Sequence, residues 1–204
     1  MVLLQPTYFS PIIQYVAIAK SKEIIFEIED NFQKQTYRNR CYIYTASGKK
    51  SLNIPIQHSK GLKQKTKDIK IDYKDNWQKL HLKTLQTAYS SSPFFEFYID
   101  DLLPIFERKT TFLLDLNLKC HQLIMKALQL EIPVSKTTEF NKNPIYLDLR
   151  NLVLAKNNKQ HHLERYFQVF STNHGFISNL SILDLLFMEG PNTLNYLESQ
   201  TVKL

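Results

Sequence analysis

The chain is poor in the residues that build the commonest nucleotide and metal sites. Its 204 residues include only 4 glycines and 2 cysteines. Glycine-rich phosphate loops are therefore excluded, and neither G-x-G-x-x-G nor G-x-x-x-x-G-K-[ST] occurs anywhere. Cys41 and Cys120 stand far apart with no C-x-x-C pair, which is typical of a reduced, cytoplasmic protein. The histidines are scattered without ligand spacing, so we expect no metal and no cofactor.

Long apolar runs are missing as well. No run approaches the roughly 18 residues that a membrane-spanning helix needs. Gln5 and Pro6 interrupt the N-terminus where a signal peptide would need its apolar core. We therefore expect a soluble, cytoplasmic protein with no membrane span.

What the chain does have is aromatic residues and positive charge. Hydrophobic residues make up 43%, with 13 Phe and 11 Tyr, enough for one packed domain. The net charge of +7 favours an anionic partner. Most of the excess lies between Lys49 and Lys83, where no arginine is interleaved. Such a surface is more typical of a solvated loop than of a nucleic-acid reader, so we do not expect nucleic acid as the partner.

Hydrophobic patterning predicts an α/β fold that begins with a βαβ unit. Val2 to Leu4 is an apolar run typical of a buried strand, and Glu23 to Ile28 is β-branched and aromatic. Between them, a helical stripe follows Pro11 to about Lys20. A strand, a short helix and a second strand predict a parallel pair.

The next segments predict a hairpin and then helices. Arg38 to Thr45 and Leu52 to Ile56 flank a turn at Ser47-Gly48, and Ile69 to Ile71 is a candidate short strand. Helices are predicted from 75 or 76 to about 89, over 94–106 with Pro104 closing it, from 110 or 111 to about 130, over 181–187, and from 192 or 193 onwards. We expect a single domain, with an N-terminal mixed sheet in a strand-rich portion (1–72) and a helix-rich portion (73–204).

Residues 31–41 contain the most promising binding pattern. Lys34, Arg38 and Arg40 alternate with the amides of Gln33, Gln35 and Asn39. On a strand, Arg38 and Arg40 would share one face, which suits an anionic or polyhydroxyl ligand; a solvated strand face is the alternative.

The predicted sheet gives this stretch a location. Parallel sheets bind ligands beyond the carboxyl ends of their strands. Here those ends are Gln5 to Tyr8 and Glu29 to Asn31, which brings residues 31–41 to the same edge. Gln5 and Tyr8 could face a ligand or satisfy the strand end.

Three side chains are candidates for chemistry or pairing. Glu29 could be a general base, or the ion-pair partner of an arginine from residues 31–41. His81 shares a helix face with Trp77, so it is either a satisfied core histidine or a neutral base beside a cleft. Asp184 lies within an apolar helix, and burying it alone would be costly. We expect an arginine from residues 31–41 to pair with it and tie the C-terminal helix over the site.

Several motifs occur in the same order as in a known family. They are Gln5-Pro6-Thr7-Tyr8-Phe9, the segment 34–40, Trp77 with His81 and Tyr89, and residues 176–187 followed by Gly190-Pro191. This series resembles the bacterial WbqC-like family, and is most similar to its short Bacteroidetes-type branch. One departure is Leu4, where many members carry a histidine.

The resemblance implies an enzyme of surface-polysaccharide or O-antigen biosynthesis that transfers an aminoacyl or acyl group onto an amino sugar. The residues that match by position are Gln5, Pro6, Glu29, Lys34, Asn39, Arg40, Trp77, His81, Ser181 and Asp184. We expect Arg38, Asn39 and Arg40 to bind an anionic or sugar-nucleotide substrate, and His81 to move a proton. The alternatives are a non-catalytic protein that binds an anionic glycan or nucleic acid, and a scaffold subunit whose site has decayed. The oligomeric state stays open.

Overall fold

The computed structural model describes residues 1–57, 63–156 and 161–202, and they form an α/β fold, which confirms the predicted class. The strands are β1 (Val2–Leu4), β2 (Ile24–Phe26), β3 (Arg40–Thr45), β4 (Gly48–Asn53), β5 (Val134–Lys136) and β6 (Leu147–Asp148). The helices are α1 (Ile12–Ala19), α2 (Trp77–Tyr89), α3 (Phe95–Glu107), α4 (Leu113–Ala127), α5 (Ser171–His174), α6 (Ile182–Glu189) and α7 (Thr193–Ser199). Short 3₁₀ turns occupy Tyr37–Asn39, Thr66–Asp68, Arg150–Val153 and Gly190–Asn192.

The chain starts with the predicted βαβ unit. β1 and β2 pair in parallel, with Val2 opposite Ile24 and Leu4 opposite Phe26. Seven of the eight residues of α1 are buried, which fits a helix that is apolar nearly all round. Its one amide, Gln14, is also satisfied, because its Nε2 donates to the backbone oxygen of Gln5 at 2.9 Å.

Four short parallel strands form the main sheet in the order β5-β2-β1-β6. The expected N-terminal mixed sheet is therefore completed differently, because β5 and β6 come from the portion that was predicted to be mainly helical. The antiparallel hairpin of β3 and β4 forms a separate two-stranded sheet. Both strands of the central pair are buried, as expected for a parallel sheet covered on its faces.

Two local predictions are corrected by the structure. Ile69 to Ile71 does not form a strand; Ile71 makes a single bridge to Ile56, and Lys70 bridges to Phe112. Helix α3 does not close at Pro104 but continues to Glu107. Pro104 has no backbone N–H to donate within the helix, but α3 is held by its contacts with α2, α4 and α6.

Part of the lysine-rich region between Lys49 and Lys83 falls on 58–62, which lie outside the described residues. Among the helices formed by residues 1–57, 63–156 and 161–202, none has the length and apolar character that crossing a membrane requires.

Candidate functional site

The carboxyl ends of all four parallel strands open onto one cleft of about 620 Å³. Gln5 directly follows β1, the segment from Glu29 to Asn31 follows β2, and Thr138 to Phe140 follows β5. Arg150 to Leu154 follows β6. The cleft is lined by Gln5, Glu29, Asp30, Asn31, Gln33, Lys65, Thr138, Glu139, Phe140, Arg150, Asn151, Val153 and Leu154.

The strand order places a topological switch point at this cleft. From β1 the chain proceeds to β2 and then β5 on one side, and it later adds β6 on the other side of β1. Open parallel sheets bind ligands where the strand order reverses, beyond the carboxyl ends. Gln5 comes directly after β1 and Arg150 two residues after the end of β6, the two strands that flank this point, so both lie where a ligand is expected.

Asp30 organises the floor of the cleft. Its Oδ2 accepts hydrogen bonds from Gln5 Nε2 at 3.0 Å and from Arg38 at 2.5 Å, and its Oδ1 accepts one from the Thr66 hydroxyl at 2.7 Å. Arg38 is fully buried, and its second terminal nitrogen reaches the hydroxyl of Thr36 at 3.4 Å. Burial lowers the pKa of Arg38, but the neighbouring Asp30 carboxylate opposes this effect. The ion pair holds the floor rigid rather than presenting a free cation.

Glu29 forms the second carboxylate of the cleft wall. Its two oxygens accept hydrogen bonds from Lys65 at 2.6 Å and from Lys67 at 2.5 Å. The bond from Lys65, and then the bond from Lys67, lower the pKa of Glu29 below its usual value. Glu29 is therefore ionised at neutral pH, and it is better suited to holding a positive group than to taking up a proton.

Arg150 closes the opposite side of the cleft. Its guanidinium bridges the Asp148 carboxylate at 2.6 Å and the buried Glu27 carboxylate at 3.2 Å. The hydrogen bond from Arg150 lowers the pKa of Asp148. The guanidinium carbon also lies 5.1 Å from the centre of the Phe140 ring, which is 53% exposed. This pairing orients an aromatic face at the rim of the cleft.

Carboxylates outnumber cations in the cleft although the chain as a whole is basic. Among the lining residues, Glu29, Asp30 and Glu139 are acidic, and Lys65 and Arg150 are basic. Both cations are in ion pairs, and so are Glu29 and Asp30, which leaves Glu139 as the remaining lining charge. Glu139 is exposed and forms no ion pair within the described part of the chain. The local field therefore favours a positive or neutral ligand group over a bare anion.

Of the residues predicted from the sequence, Gln5 and Glu29 line the cleft and Tyr8 and His81 do not. Tyr8 is fully buried and its hydroxyl contacts His81 Nδ1 at 3.1 Å. His81 also packs edge-on against Trp77, with ring centres 5.1 Å apart. Burial lowers the pKa of His81 to about 4, so the imidazole is neutral. His81 takes the core position that was one of its two interpretations.

The basic stretch 31–41 is arranged differently from the prediction. Arg38 lies in the 3₁₀ turn before β3, so it does not share a strand face with Arg40, and it faces inward to Asp30. Asn39 donates to the backbone oxygen of Ile54 at 3.0 Å and so fastens the hairpin. Arg40 and Lys34 do not line the cleft, and Lys34 is exposed. Asn31 and Gln33 of this stretch line the cleft, and Arg38 supports it from behind.

The predicted pairing of Asp184 with an arginine is wrong. Asp184 is fully buried in α6, and its carboxylate accepts hydrogen bonds from the hydroxyls of Tyr89 at 2.6 Å and Tyr166 at 2.5 Å. Gln168 adds a third donor at 3.2 Å. Burial raises the pKa of Asp184, which these three donors oppose. Neutral donors replace the expected cation, and this cluster fastens α6 to α2 rather than lining the cleft.

Sequence reasoning missed Arg150 and Phe140, and it noted Asp30 only as a neighbour of Glu29. The available signal for Arg150 was its position directly after Ile145 to Leu149, a short, largely apolar segment of the kind that can form a strand. The two cysteines are buried, and burial raises the pKa of each thiol, so neither is an activated nucleophile. Within residues 1–57, 63–156 and 161–202, no cluster of three or more His, Cys, Asp or Glu could hold a metal ion.

These features define an α/β protein with a parallel sheet and a mixed-charge cleft at its switch point. The chain belongs to the WbqC-like protein family, which matches residues 5–163 and therefore includes every residue of the cleft. It is similar to the uncharacterized protein Rv1507c of Mycobacterium tuberculosis (strain ATCC 25618 / H37Rv), with 33% identity over 89 residues. That match covers 44% of this chain and 38% of the mycobacterial protein, so it spans well under half of either. No solved structure matches the chain significantly.

Proposed function

We propose that the chain is a group transferase of bacterial surface-polysaccharide biosynthesis that adds an acyl or aminoacyl group to an amino sugar. The observation that carries this proposal is the cleft at the switch point, where Gln5, Glu29 and Asp30 from two strand ends face Arg150 and Phe140. Family membership supports the biological setting.

The size and lining of the cleft suit a sugar. A volume of about 620 Å³ lies within the range of roughly 300–1,000 Å³ that is usual for small-molecule sites. The half-exposed ring of Phe140 offers a flat apolar surface at the rim for one face of a sugar ring. The side-chain amides of Gln5, Asn31 and Asn151 lie in the lining of the cleft and supply hydrogen-bonding partners for sugar hydroxyl groups.

The charges suit an amino group. The transfer begins when the neutral amine nitrogen attacks the carbonyl carbon of an activated donor. A C–N bond forms, the bond from that carbon to the leaving atom of the donor breaks, and the nitrogen loses one proton. The amine enters as an ammonium group beside the ionised Glu29, and Glu139, which has no ion pair among the described residues, accepts the proton that converts it to the neutral amine. The proton that the nitrogen loses after the attack goes to the leaving atom of the donor.

The sequence predicted an anionic or sugar-nucleotide substrate. A nucleotide-linked amino sugar carries both phosphates and an ammonium group, and as the acceptor of the transfer it would be met in the cytoplasm, the expected location. Four of the five charged lining residues are in ion pairs, and the fifth, Glu139, is a carboxylate, so the amine is the group that we expect the cleft to recognise. Recognition of the phosphates stays a prediction.

A transfer assay with a matched pair of variants tests the proposal. The purified chain is incubated with an amino-sugar nucleotide and, in parallel reactions, an acyl-coenzyme A or an activated amino acid. Mass spectrometry then follows the acylated sugar. We expect product with the parent chain and with the control Glu107→Gln, an exposed carboxylate on α3 away from the cleft. Glu139→Gln should lower the rate by about 10²-fold or more, as expected for loss of a general base.

Two results would contradict the transferase proposal. One is an absence of product from every donor while the amino sugar binds the cleft, which would favour a non-catalytic binding protein. The other is an equal rate for Glu139→Gln and Glu107→Gln, which would remove Glu139 from the reaction.

A further inference from the structure

Residues 138–143, the rim loop, lie between β5 and β6 and bring Glu139 and Phe140 into the lining of the cleft. Every residue of the rim loop is exposed, so apolar burial does not hold it in place. Its position relative to the cleft must therefore come from polar contacts.

Arg150 supplies these contacts. Its Nη1 donates to the backbone oxygen of Asn141 at 2.9 Å, and its Nη2 donates more weakly to that of Lys142 at 3.5 Å. Its guanidinium carbon also lies 5.1 Å from the centre of the Phe140 ring. Within the described ranges, no other hydrogen bond joins the rim loop to the rest of the chain. Arg150 is therefore the link that fastens the loop to the body of the protein.

The guanidinium of Arg150 is itself held in one orientation. Its Nε and Nη2 donate to the Asp148 carboxylate at 2.9 and 2.6 Å, and its Nη1 donates to Glu27 at 3.2 Å. Together with the two loop carbonyls, these bonds use all five N–H donors of an arginine. A planar group with every donor engaged cannot turn without losing hydrogen bonds, so it fixes the loop that it holds.

Glu27 connects this arginine to two further strand ends. It is fully buried, and its second oxygen accepts hydrogen bonds from the Thr137 hydroxyl and from the backbone N–H of Glu29, both at 2.9 Å. Thr137 is the first residue after β5, and Glu29 follows β2. The buried pair of Glu27 and Arg150 therefore ties the rim loop to the wall that carries Glu29.

We propose that Arg150 is a positioning residue of the transfer reaction, which holds the rim loop so that Glu139 reaches the acceptor amine and Phe140 faces the sugar. Glu27 is its buried anchor. The inference rests on the proposed function for the role of Glu139, and it adds the group that places this carboxylate. A lysine at position 150 would keep the charge, but its single nitrogen cannot serve Asp148, Glu27 and the loop carbonyls at once.

A double-mutant cycle in the transfer assay tests the positioning role. Arg150→Lys should lower kcat by about tenfold or more, because a small misplacement of a reacting group is costly. If Arg150 acts through Glu139, the double variant Arg150→Lys/Glu139→Gln should be about as slow as Glu139→Gln alone. The control Arg165→Lys, at an exposed arginine before α5, should keep the parent kcat. Losses that multiply in the double variant would overturn the positioning role, as would a parent-like kcat in Arg150→Lys.

The position of the rim loop is measured separately, without substrate. Both native cysteines are buried, so Lys142→Cys, at an exposed site, takes a nitroxide spin label selectively. The electron paramagnetic resonance spectrum should show faster label motion when Arg150→Lys is added, and no change when Arg165→Lys is added. Circular dichroism establishes that each variant folds. Glu27→Gln weakens the anchor from its other side and should loosen the loop to a smaller degree, so it decides the question if Arg150→Lys does not fold.

The two measurements separate the inference from the function on which it rests. An unchanged spectrum in the folded Arg150→Lys variant would overturn the anchoring by Arg150 and leave the transferase proposal in place. A loosened loop with no product from the parent chain would overturn the proposed reaction and the positioning role with it, while the anchor itself would stand. A loosened loop together with losses that do not multiply supports both.

Discussion

The two buried histidines make stability depend strongly on pH in the mildly acidic range. His81 and His121 are 2% and 7% exposed, and burial lowers the pKa of each to about 4 from an ordinary value of 6.5. His81 contacts Tyr8 and Trp77, and His121 lies against Tyr15 and Phe26. No carboxylate is in contact with either ring among these partners, and the hydrogen bond between His81 and the backbone of Asn53 opposes the desolvation of a charged imidazole only in part.

The size of the effect follows from the pKa difference. Each imidazole binds a proton more readily in the unfolded chain than in the folded chain. The associated stability is therefore present above pH 6.5 and is lost as the pH falls towards 4. The fall of each pKa from 6.5 to about 4, at about 1.36 kcal/mol per unit, corresponds to roughly 3 kcal/mol per histidine. Two such terms are comparable with a typical total stability of about 5–15 kcal/mol.

Urea denaturation at a series of pH values measures this loss. We expect the free energy of unfolding to fall steeply between pH 6.5 and 4.5. His81→Gln and His121→Gln should each remove about half of the fall, whereas His162→Gln, at an exposed histidine, should follow the parent. The raised pKa of Asp184 makes the folded chain more stable as the pH falls, which is opposite to the effect of the histidines. The parent and the three histidine variants all contain Asp184, so its contribution cancels when they are compared. A flat profile in the parent, or an undiminished fall in both core variants, would refute the reasoning.

Three further perturbations have definite expected outcomes. Asp184→Leu leaves the hydroxyl donors of Tyr89 and Tyr166 without their acceptor in the core, so urea denaturation should show a loss of about 3 kcal/mol or more. Asp115→Asn on the surface of α4 should change little, and a parent-like Asp184→Leu would contradict the buried network. Gly190→Ala places a new Cβ about 2.5 Å from the ring carbons of Phe94, at a φ of +52°. It should lower the free energy of unfolding by roughly 2–5 kcal/mol, and by more than Gly48→Ala, where a new Cβ meets nothing within 4 Å. Equal melting temperatures of the two variants would contradict the packing of Gly190 against Phe94. Glucosamine affinity should change less than tenfold between 50 and 200 mM salt, because a compact cleft releases few counterions; a fall of 10³-fold or more would indicate polyanion-like binding at the lysine-rich surface instead.

Local patterning was sufficient for the parts of the fold that are contiguous in sequence. The apolar run before Gln5 and the helical stripe after Pro11 predicted the parallel βαβ start, and the α/β class is confirmed. The rule for parallel sheets then placed the binding cleft at the ends of β1 and β2. Gln5 and Glu29 do line that cleft. These predictions held because the period of side-chain burial in a strand or helix is a local property.

What the sequence could not determine was which way its polar residues face. Arg38 and Arg150 are both arginines beside a short 3₁₀ turn, yet one is buried under the cleft and the other lines it. That difference arises from strands β5 and β6, which join the sheet from far along the chain and complete the rim.

The same dependence on distant partners explains Asp184 and His81. A buried carboxylate requires hydrogen-bond donors, so the sequence could predict that Asp184 has a partner but not which one. In the structure the donors are the hydroxyls of Tyr89 and Tyr166 instead of an arginine. The sequence placed His81 on the same predicted helix face as Trp77. Only the tertiary structure decided that this face packs against Tyr8 in the core rather than facing solvent in the cleft. The sequence by itself determined the class of the fold and the edge of the sheet where the cleft lies. The tertiary structure decided which side chains reach that edge, because burial depends on contacts between segments that no local pattern records.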